Sequence, residues 1–215
     1  MFCNKNKIQA DDLAGLREIV KGFVNKKRYT HTIGVENEAA ELAKIYECEK
    51  PLAQSLRAAA ILHDITKEFD KQTQLEICGE YNFKLEPEDK RAEKPIHAKT
   101  GAYIARFEFG VSDTAFGAIY NHTLGCPRGA PLADKIIYLA DYIEPNRNYQ
   151  ECLDIREYFY SRIKNAENIS EKYKILDAAL LFSYNKTIES LLGENLFIHK
   201  KTLQYRNSYI GEKIL

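Results

Sequence analysis

The sequence predicts an all-α fold, and three observations carry that prediction. Apolar residues recur at helical spacing along most of the chain, while the period-two alternation of strands is nearly absent. Capping and breaking residues stand where one periodic segment gives way to the next. Four of the five histidines fall in or beside these segments, in an order broken by two aspartates: His31, then His63 with Asp64, then His97, His122 and Asp141.

Asp11 or Asp12 caps a first helix that runs to about Lys27, with Leu13, Leu16, Val20 and Phe23 or Val24 inward. Thr30 or Thr32 is placed to cap a second, from about Thr32 to Tyr46, which buries Val35, Ala39, Leu42, Ala43 and Tyr46. Pro51 suits the first turn of a third, where its missing N–H costs nothing, and that helix ends near His63 or Lys67. From Glu68 to Lys94 polarity dominates. A helix stopped by Gly79 is followed by the charged run Glu86 to Lys94, readable as a mobile flap or as an ordinary surface excursion. His97 follows Pro95 in the first turn of a helix buried through Gly101, Ile104 and Ala105. Gly110 fits the left-handed residue after a helix end, Val111 its hydrophobic contact, and Ser112 the next cap. Ala115, Ile119 and His122 then obey the i, i+4, i+7 rule. Pro131 opens the helix of Ile136, Ile137, Ala140 and Asp141, and Pro145 closes it. Glu151 to Asn185 reads as two more helices rich in Tyr and Leu, and the linker 165–170 between them is too short to force a second domain. Residues 1–215 are therefore expected to form a single domain, with a core at about 28–147 and C-terminal helices at about 150–215.

Lys plus Arg and Asp plus Glu both total 31, so no global positive field gathers nucleic acid or an anionic membrane. The basic clusters Lys26-Lys27-Arg28 and His199-Lys200-Lys201 read as solvated faces, with His199 exposed. The N-terminal residues lack the apolar centre of a secretory signal, and no stretch approaches the roughly 20 apolar residues of a membrane span. A cytoplasmic protein is the expectation. Cys3, Cys48, Cys78, Cys126 and Cys152 are odd in number and never form CxxC, which argues against a disulfide framework and a structural zinc. Cys126, four residues after His122, is read as a bystander, and the Tyr- and Leu-rich C-terminal third as a candidate homodimer surface.

His63 and Asp64 end the apolar run Ala58 to Leu62, which carries a carboxylate into the interior. An ionised carboxylate there is costly without a partner. Neighbours on a helix point about 100° apart, so an ion shared by the two lies beside the axis and draws its other ligands from distant segments. His31 shares a stripe with Val35 and Leu42, whereas the stripe of Asp141 contains Asp134 and Ile137 and is mixed. One inward histidine is more often a hydrogen-bonded core residue than a ligand. Four of them with two aspartates are enough to hold two divalent ions, and the mixture of imidazole and carboxylate suits first-row transition ions such as iron or manganese over calcium; iron is the expected metal, with manganese or cobalt as alternatives.

The phrases Arg28 to Val35, Leu62 to Lys67, His97 to Ala102, Asn121 to Gly125 and Ala140 to Arg147, read as HTxGV, HDxxK, HxxTG, HTxG and ADYIEPxR in order, resemble the HD-domain metal-dependent phosphohydrolases. Within these the resemblance is to the bacterial YqeK-type enzymes. It covers residues 28–147, and Glu68 to Lys94 has no strong match. The resemblance implies an HD-domain helical bundle around a binuclear metal site. It also implies an enzyme that splits diadenosine tetraphosphate symmetrically into two molecules of ADP. His31, His63, Asp64 and Asp141 would hold one ion, with Asp64 bridging to a second held by His97 and His122.

Two ions about 3.5–4 Å apart lower the pKa of a water and clamp the attacked phosphoryl group. On this reading Asp64 sets their separation, and Asp141 orients the water as well as binding metal. Phosphoanhydride hydrolysis also needs cations where charge builds up. Lys67, i+4 from His63, is the leading catalytic and substrate-binding candidate against the alternative of a solvated surface lysine; Arg147 and Arg28 are further substrate-binding candidates, and Lys99 a lesser one. Tyr29, Tyr103 or Tyr142 is available to stack a base. Two other functions stay open: a nucleotidase or phosphatase acting on another nucleotide, and a non-catalytic nucleotide- or iron-sensing module. The complete ligand set, Lys67, and the want of a basic DNA-reading helix argue against the sensor.

Overall fold

Helices whose buried residues recur every three to four positions pack side by side, and the computed structural model describes residues 8–210 as eleven of them without a strand. Cys3, with the rest of the N-terminal segment 1–7, and residues 211–215 lie outside the described residues.

The first helix, α1 (Leu13–Phe23), is capped by Asp12, whose carboxylate accepts the N–H of Gly15 at 2.9 Å. It ends earlier than the apolar spacing predicts, and α2 (Lys26–Ile45) begins earlier than either threonine would place it. Asn25 is the cause. Its side chain accepts the N–H of Arg28 at 2.9 Å, and Glu68 accepts the Asn25 backbone N–H at 2.7 Å. Asparagine is the stronger cap, so Arg28 falls in the first turn of α2 and His31 in the second.

Pro51 lies in the first turn of α3 (Lys50–Leu62), which stops at Leu62. Residues 63–68 are successive turns, closed by bonds from Lys67 N–H to the Asp64 carbonyl at 2.9 Å and from Phe69 N–H to the Thr66 carbonyl at 3.1 Å. Lys67 therefore reaches the cavity through a chain of turns rather than along a helical face.

The polar segment folds into α4 (Lys71–Glu80) and α5 (Pro87–Ala92), and the charged run is tied down instead of free. Asp89 is fully buried and its Oδ2 holds the ammonium of Lys99, itself 2 % exposed. His199 lies 3.4 Å from the other Asp89 oxygen and is buried, contrary to its reading as a solvated residue. The polar neighbours in its sequence had hidden a long-range partner. The same ion pair takes Lys99 out of contention as a phosphate ligand. Lys200 and Lys201 pair with Glu88 and Glu86, each at 2.7 Å, while Lys26 and Lys27 are exposed as expected.

The turn after α6 (Pro95–Phe109) uses Gly110 at φ 64°, and Ser112 caps α7 (Asp113–Asn121) by accepting the N–H of Ala115. Pro131 precedes α8 (Leu132–Ile143). The C-terminal part comprises α9 (Gln150–Ile163), α10 (Ile169–Gly193) and α11 (Lys200–Ser208). α10 runs past Asn185, and α11 has no apolar stripe to announce it, with Thr202 its one buried residue.

α2 packs against α3 and α8, α3 against α7, and α7 against both α6 and α8. Leu42, Leu56, Ile61, Ile119, Ile136 and Leu139 are fully buried where these helices meet. Each such side chain contributes about 1.5–3 kcal/mol by leaving water. α9 and α10 lie outside this group, on α8. The four central helices and α6 thus converge on one buried polar centre from five separate stretches of chain.

Candidate metal centre

Each of those stretches delivers a polar side chain to this centre. His31 comes from the second turn of α2, His63 from the end of α3, Asp64 from the turn beyond it, His97 from the first turn of α6, His122 from the end of α7 and Asp141 from the last turn of α8. The structure brings all six together, and all six are buried. Asp64 lies between two groups. Its Oδ2 is 3.8 Å from His31 Nε2 and 3.5 Å from His63 Nε2, with Asp141 Oδ1 a further 2.9 Å and 3.7 Å from the same two nitrogens. Its Oδ1 is 3.1 Å from His97 Nε2 and 3.4 Å from His122 Nε2.

The tautomers follow from what lies behind the rings. His63 Nδ1 is 2.7 Å from the Ala60 carbonyl and His122 Nδ1 is 2.7 Å from the Ile119 carbonyl. A carbonyl only accepts, so each Nδ1 carries the proton and each Nε2 offers a lone pair inward. His31 Nδ1 donates in the same sense to Glu144 Oε1 at 3.0 Å.

A divalent metal fits this donor set. His31 Nε2, His63 Nε2 and Asp64 Oδ1 are buried and make no hydrogen bond; with the His31 proton on Nδ1, the 2.9 Å approach of its Nε2 to Asp141 Oδ1 sets one lone pair against another. Leaving such groups unpaired costs about 1–3 kcal/mol each. Nitrogen and oxygen ligands about 2.0–2.2 Å from a common ion lie roughly 3.0–3.5 Å apart; both nitrogens at Asp64 Oδ1 and His63 Nε2 at Oδ2 have this spacing, and His31 Nε2 at 3.8 Å is slightly wider. His31, His63 and Asp64 form one potential metal-holding group and Asp64, His97 and His122 another.

An HD domain model matches residues 28–146, a span that contains all six side chains. The chain belongs to the HD domain family. Its relatives include the protein named "Bis(5'-nucleosyl)-tetraphosphatase, symmetrical" of Halalkalibacterium halodurans, 35% identical over 91% of this chain and 96% of the relative. The protein of the same name from Bacillus subtilis is 38% identical over 64% of this chain and 72% of that one. A crystal structure described as a predicted HD superfamily hydrolase involved in NAD metabolism, from Clostridium acetobutylicum, superposes with a TM-score of 0.78 at 29% identity, covering 91% of this chain and 95% of the other.

Three cations reach the centre of this HD domain. Arg28 Nη1 donates to Asp64 Oδ2 at 2.7 Å, Arg147 Nη2 to Asp141 Oδ1 at 2.6 Å, and Lys67 Nζ to His97 Nε2 at 2.9 Å, with Asp64 Oδ1 at 3.7 Å. Their side chains remain 28%, 24% and 31% exposed, so they stand where the buried centre meets solvent.

Burial pushes the Asp64 carboxyl up, but the neighbouring His63 ring and the charge of Lys67 outweigh it and hold the group well below the carboxylate range. Asp141 shows the same balance, with Arg147 and His31 overcoming its burial. Burial also works against charge on His31, yet Asp141 and Glu144 raise it above its ordinary value. His97, by contrast, is driven down to about 3 by burial and by the charge of Lys67, and His122 is lowered by burial. Lys67 itself is lowered by burial, partly offset by Asp64 and Asp141. The half of the centre around His31 is the more negative of the two.

Sequence reasoning missed Glu144 and the purpose of Gly34. Glu144 caps α8 at its C-terminal end and is fully buried. An acid there opposes the helix dipole, the one local signal that could have marked it. A Cβ at residue 34 would fall 2.1 Å from Glu144 Oε2, so Gly34 makes room for this carboxylate. Asp134, the polar member of the mixed stripe, accepts from Asn121 Nδ2 at 2.7 Å. Of the aromatic candidates, Tyr103 already stacks on Phe83 at 3.9 Å, Tyr142 bonds Thr187 at 2.5 Å, and Tyr29 is half-buried. Cys126 lies against Tyr209, 3.9 Å from its hydroxyl, and is in neither metal-holding group.

Proposed function

We propose that this HD domain is a metal-dependent hydrolase that cleaves diadenosine tetraphosphate and related dinucleoside tetraphosphates symmetrically to two nucleoside diphosphates. One divalent ion is held by His31, His63, Asp64 and Asp141, and the second by Asp64, His97 and His122. The observation that carries the proposal is the placement of the two Asp64 oxygens, each against its own pair of buried imidazole nitrogens. Relatives named for symmetrical tetraphosphate cleavage support the substrate class.

Two such ions supply charge neutralisation on the phosphoryl oxygens and acidify the attacking water. Asp64 fixes the spacing of the two ligand groups, and Asp141, beside His31 and Arg147, orients the water toward an inner phosphorus. Water oxygen bonds to that phosphorus, the central P–O bond breaks, and one nucleoside diphosphate departs as the other is formed. Lys67 neutralises charge on the departing diphosphate, while Arg147 and Arg28 grip the remaining phosphates from the solvent side. Their positions on both carboxylates support this division.

Iron is the proposed metal, with manganese or cobalt as substitutes. A cytoplasmic location is part of the proposal; among the described residues no helix is long and apolar enough to cross a membrane. A homodimer through α10 and α11 is also proposed, supported by the exposed Leu192, Leu196 and Leu203.

The test is ion-exchange analysis of products from diadenosine tetraphosphate with protein loaded separately with Fe(II), Mn(II) and Co(II). ADP alone is expected. ATP with AMP, or no product with any metal, overturns the substrate assignment. Turnover of other nucleotides would then point to a broader nucleotidase, and tight nucleotide binding without turnover to a sensor.

A further inference from the structure

Glu144 is a carboxylate taken wholly out of water, and every bond that holds it serves the cavity. Oε1 accepts the Nδ1 proton of His31 at 3.0 Å, while Oε2 accepts the backbone N–H of Asn146 at 2.7 Å and its side-chain N–H at 2.9 Å. Gly34 leaves the space that Oε2 fills. Behind the turn, Arg156 of α9 donates to three backbone carbonyls, those of Ile143 at 2.7 Å, of Arg147 at 2.9 Å and of Glu144 itself. The stretch 143–147 is thereby fixed with Glu144 behind His31 and Arg147 on Asp141.

His31 thus has a carboxylate behind its ring, whereas His63 and His122 rest on neutral carbonyls, and His97 Nε2 has the ammonium of Lys67 at 2.9 Å on its inward side. A carboxylate draws the Nδ1 proton more strongly than a carbonyl does, so it makes the opposite nitrogen a better donor and fixes the ring's orientation. The His31 half also has two carboxylates among four ligands, against one shared carboxylate among three.

We propose that Glu144 is a positioning residue for the ion at His31, and that it makes the pocket of His31, His63, Asp64 and Asp141 the tighter of the two. This rests on the metal reading given under the proposed function. The two pockets then fill in order, and the second ion is the exchangeable one.

The experiment is an Mn(II) titration of the metal-stripped full chain, followed by the EPR signal of the free ion, on wild type, Glu144→Gln and Gly34→Ala. Wild type is expected to take up two ions, one more tightly. In E144Q the tighter site should weaken by about 10–100-fold while the weaker site is unmoved. G34A, which keeps the carboxylate but drives it off its seat, should reproduce that selective loss. Both variants should keep the wild-type far-UV helical spectrum at the titration temperature, although G34A, which overpacks a buried site, should melt lower. Unchanged uptake in both variants overturns the inference, and equal weakening of both sites reduces Glu144 to a structural role and overturns it too. A wild-type protein that holds fewer than two ions overturns the metal reading and this inference together.

Discussion

Asp89→Ala should be among the most destabilising single changes in the charged run 86–94. Asp89 is fully buried and Lys99 is 2 % exposed, so truncating the acid strands an ammonium in the interior. Breaking a buried pair from one side costs about 3–5 kcal/mol. The same Oδ2 accepts the Glu86 N–H at 2.8 Å in the capping box of α5, worth about 1 kcal/mol more. The sum, about 4–6 kcal/mol, is a large part of the roughly 5–15 kcal/mol that holds a domain folded. For a chain of 215 residues each kcal/mol moves the melting temperature by about 2–4 °C, so D89A should melt about 8–24 °C below wild type. Thermal unfolding followed by circular dichroism measures this directly. The double variant Asp89→Leu with Lys99→Met should recover most of the loss, because an apolar pair of similar bulk replaces a buried ion pair at little cost. If D89A melts within about 3 °C of wild type, less than the worth of a single surface contact network, the segment is not anchored as described and the flap reading returns.

Asp64→Asn or His63→Ala should abolish metal uptake and hydrolysis while the far-UV spectrum stays helical; full turnover in either would sink the proposed centre. Lys67→Met should lower kcat by roughly 10²–10³-fold, as loss of a transition-state cation does, and a change confined to KM would make Lys67 a mere binding contact. Arg147→Ala removes a charge-assisted bond of about 1.5–3 kcal/mol and should reduce kcat/KM by roughly 10–150-fold, and unaltered steady-state kinetics would remove it from the site. Burial lowers His97 to about 3, and lowers His122 and His199, from an ordinary 6.5. Below about pH 6.5 the unfolded chain therefore binds more protons than the native one, and stability falls with pH. His31, raised above 6.5, contributes stability below that value that is lost as pH rises through its own. Metal-stripped protein should accordingly melt lower at pH 5 than at pH 7, and equal or higher melting at pH 5 would refute this proton balance.

The fold was legible where a local signal was the strongest one present. Ser112, Gly110, Pro51 and Pro131 mark helix boundaries through their own backbone chemistry, and the structure uses them as the spacing predicts. The break at Asn25 was hidden because Phe23 and Val24 continue an apolar stripe while a better cap overrules the threonines that follow. α11 was hidden for the opposite reason, having almost no buried stripe, and it is held from its flanks by His199 and Tyr209. Five of the six side chains could be gathered from sequence because each faces inward at helical spacing or follows an apolar run, and Asp141, on a mixed stripe, was marked by the phrase ADYIEPxR around it. Partners such as Glu144 for His31, or Asp89 for Lys99 and His199, depend on contacts between residues 113, 10 and 110 positions apart. No local pattern records such a contact.

His63 and His122 each close a helix, and each rests its Nδ1 on a carbonyl three residues back. The last carbonyls of a helix have no partner within it. Here the helix end serves as a socket that sets the tautomer and the aim of the ring, even where, as at Ile119, the carbonyl also accepts the backbone N–H of His122 at 3.4 Å. Because the socket is backbone, it does not depend on which side chain occupies Ala60 or Ile119, only on the helix reaching that point. Drift in the surrounding sequence can leave the inward lone pairs where they are, whereas one extra residue inserted in either helix would turn the ring at its end by about 100°.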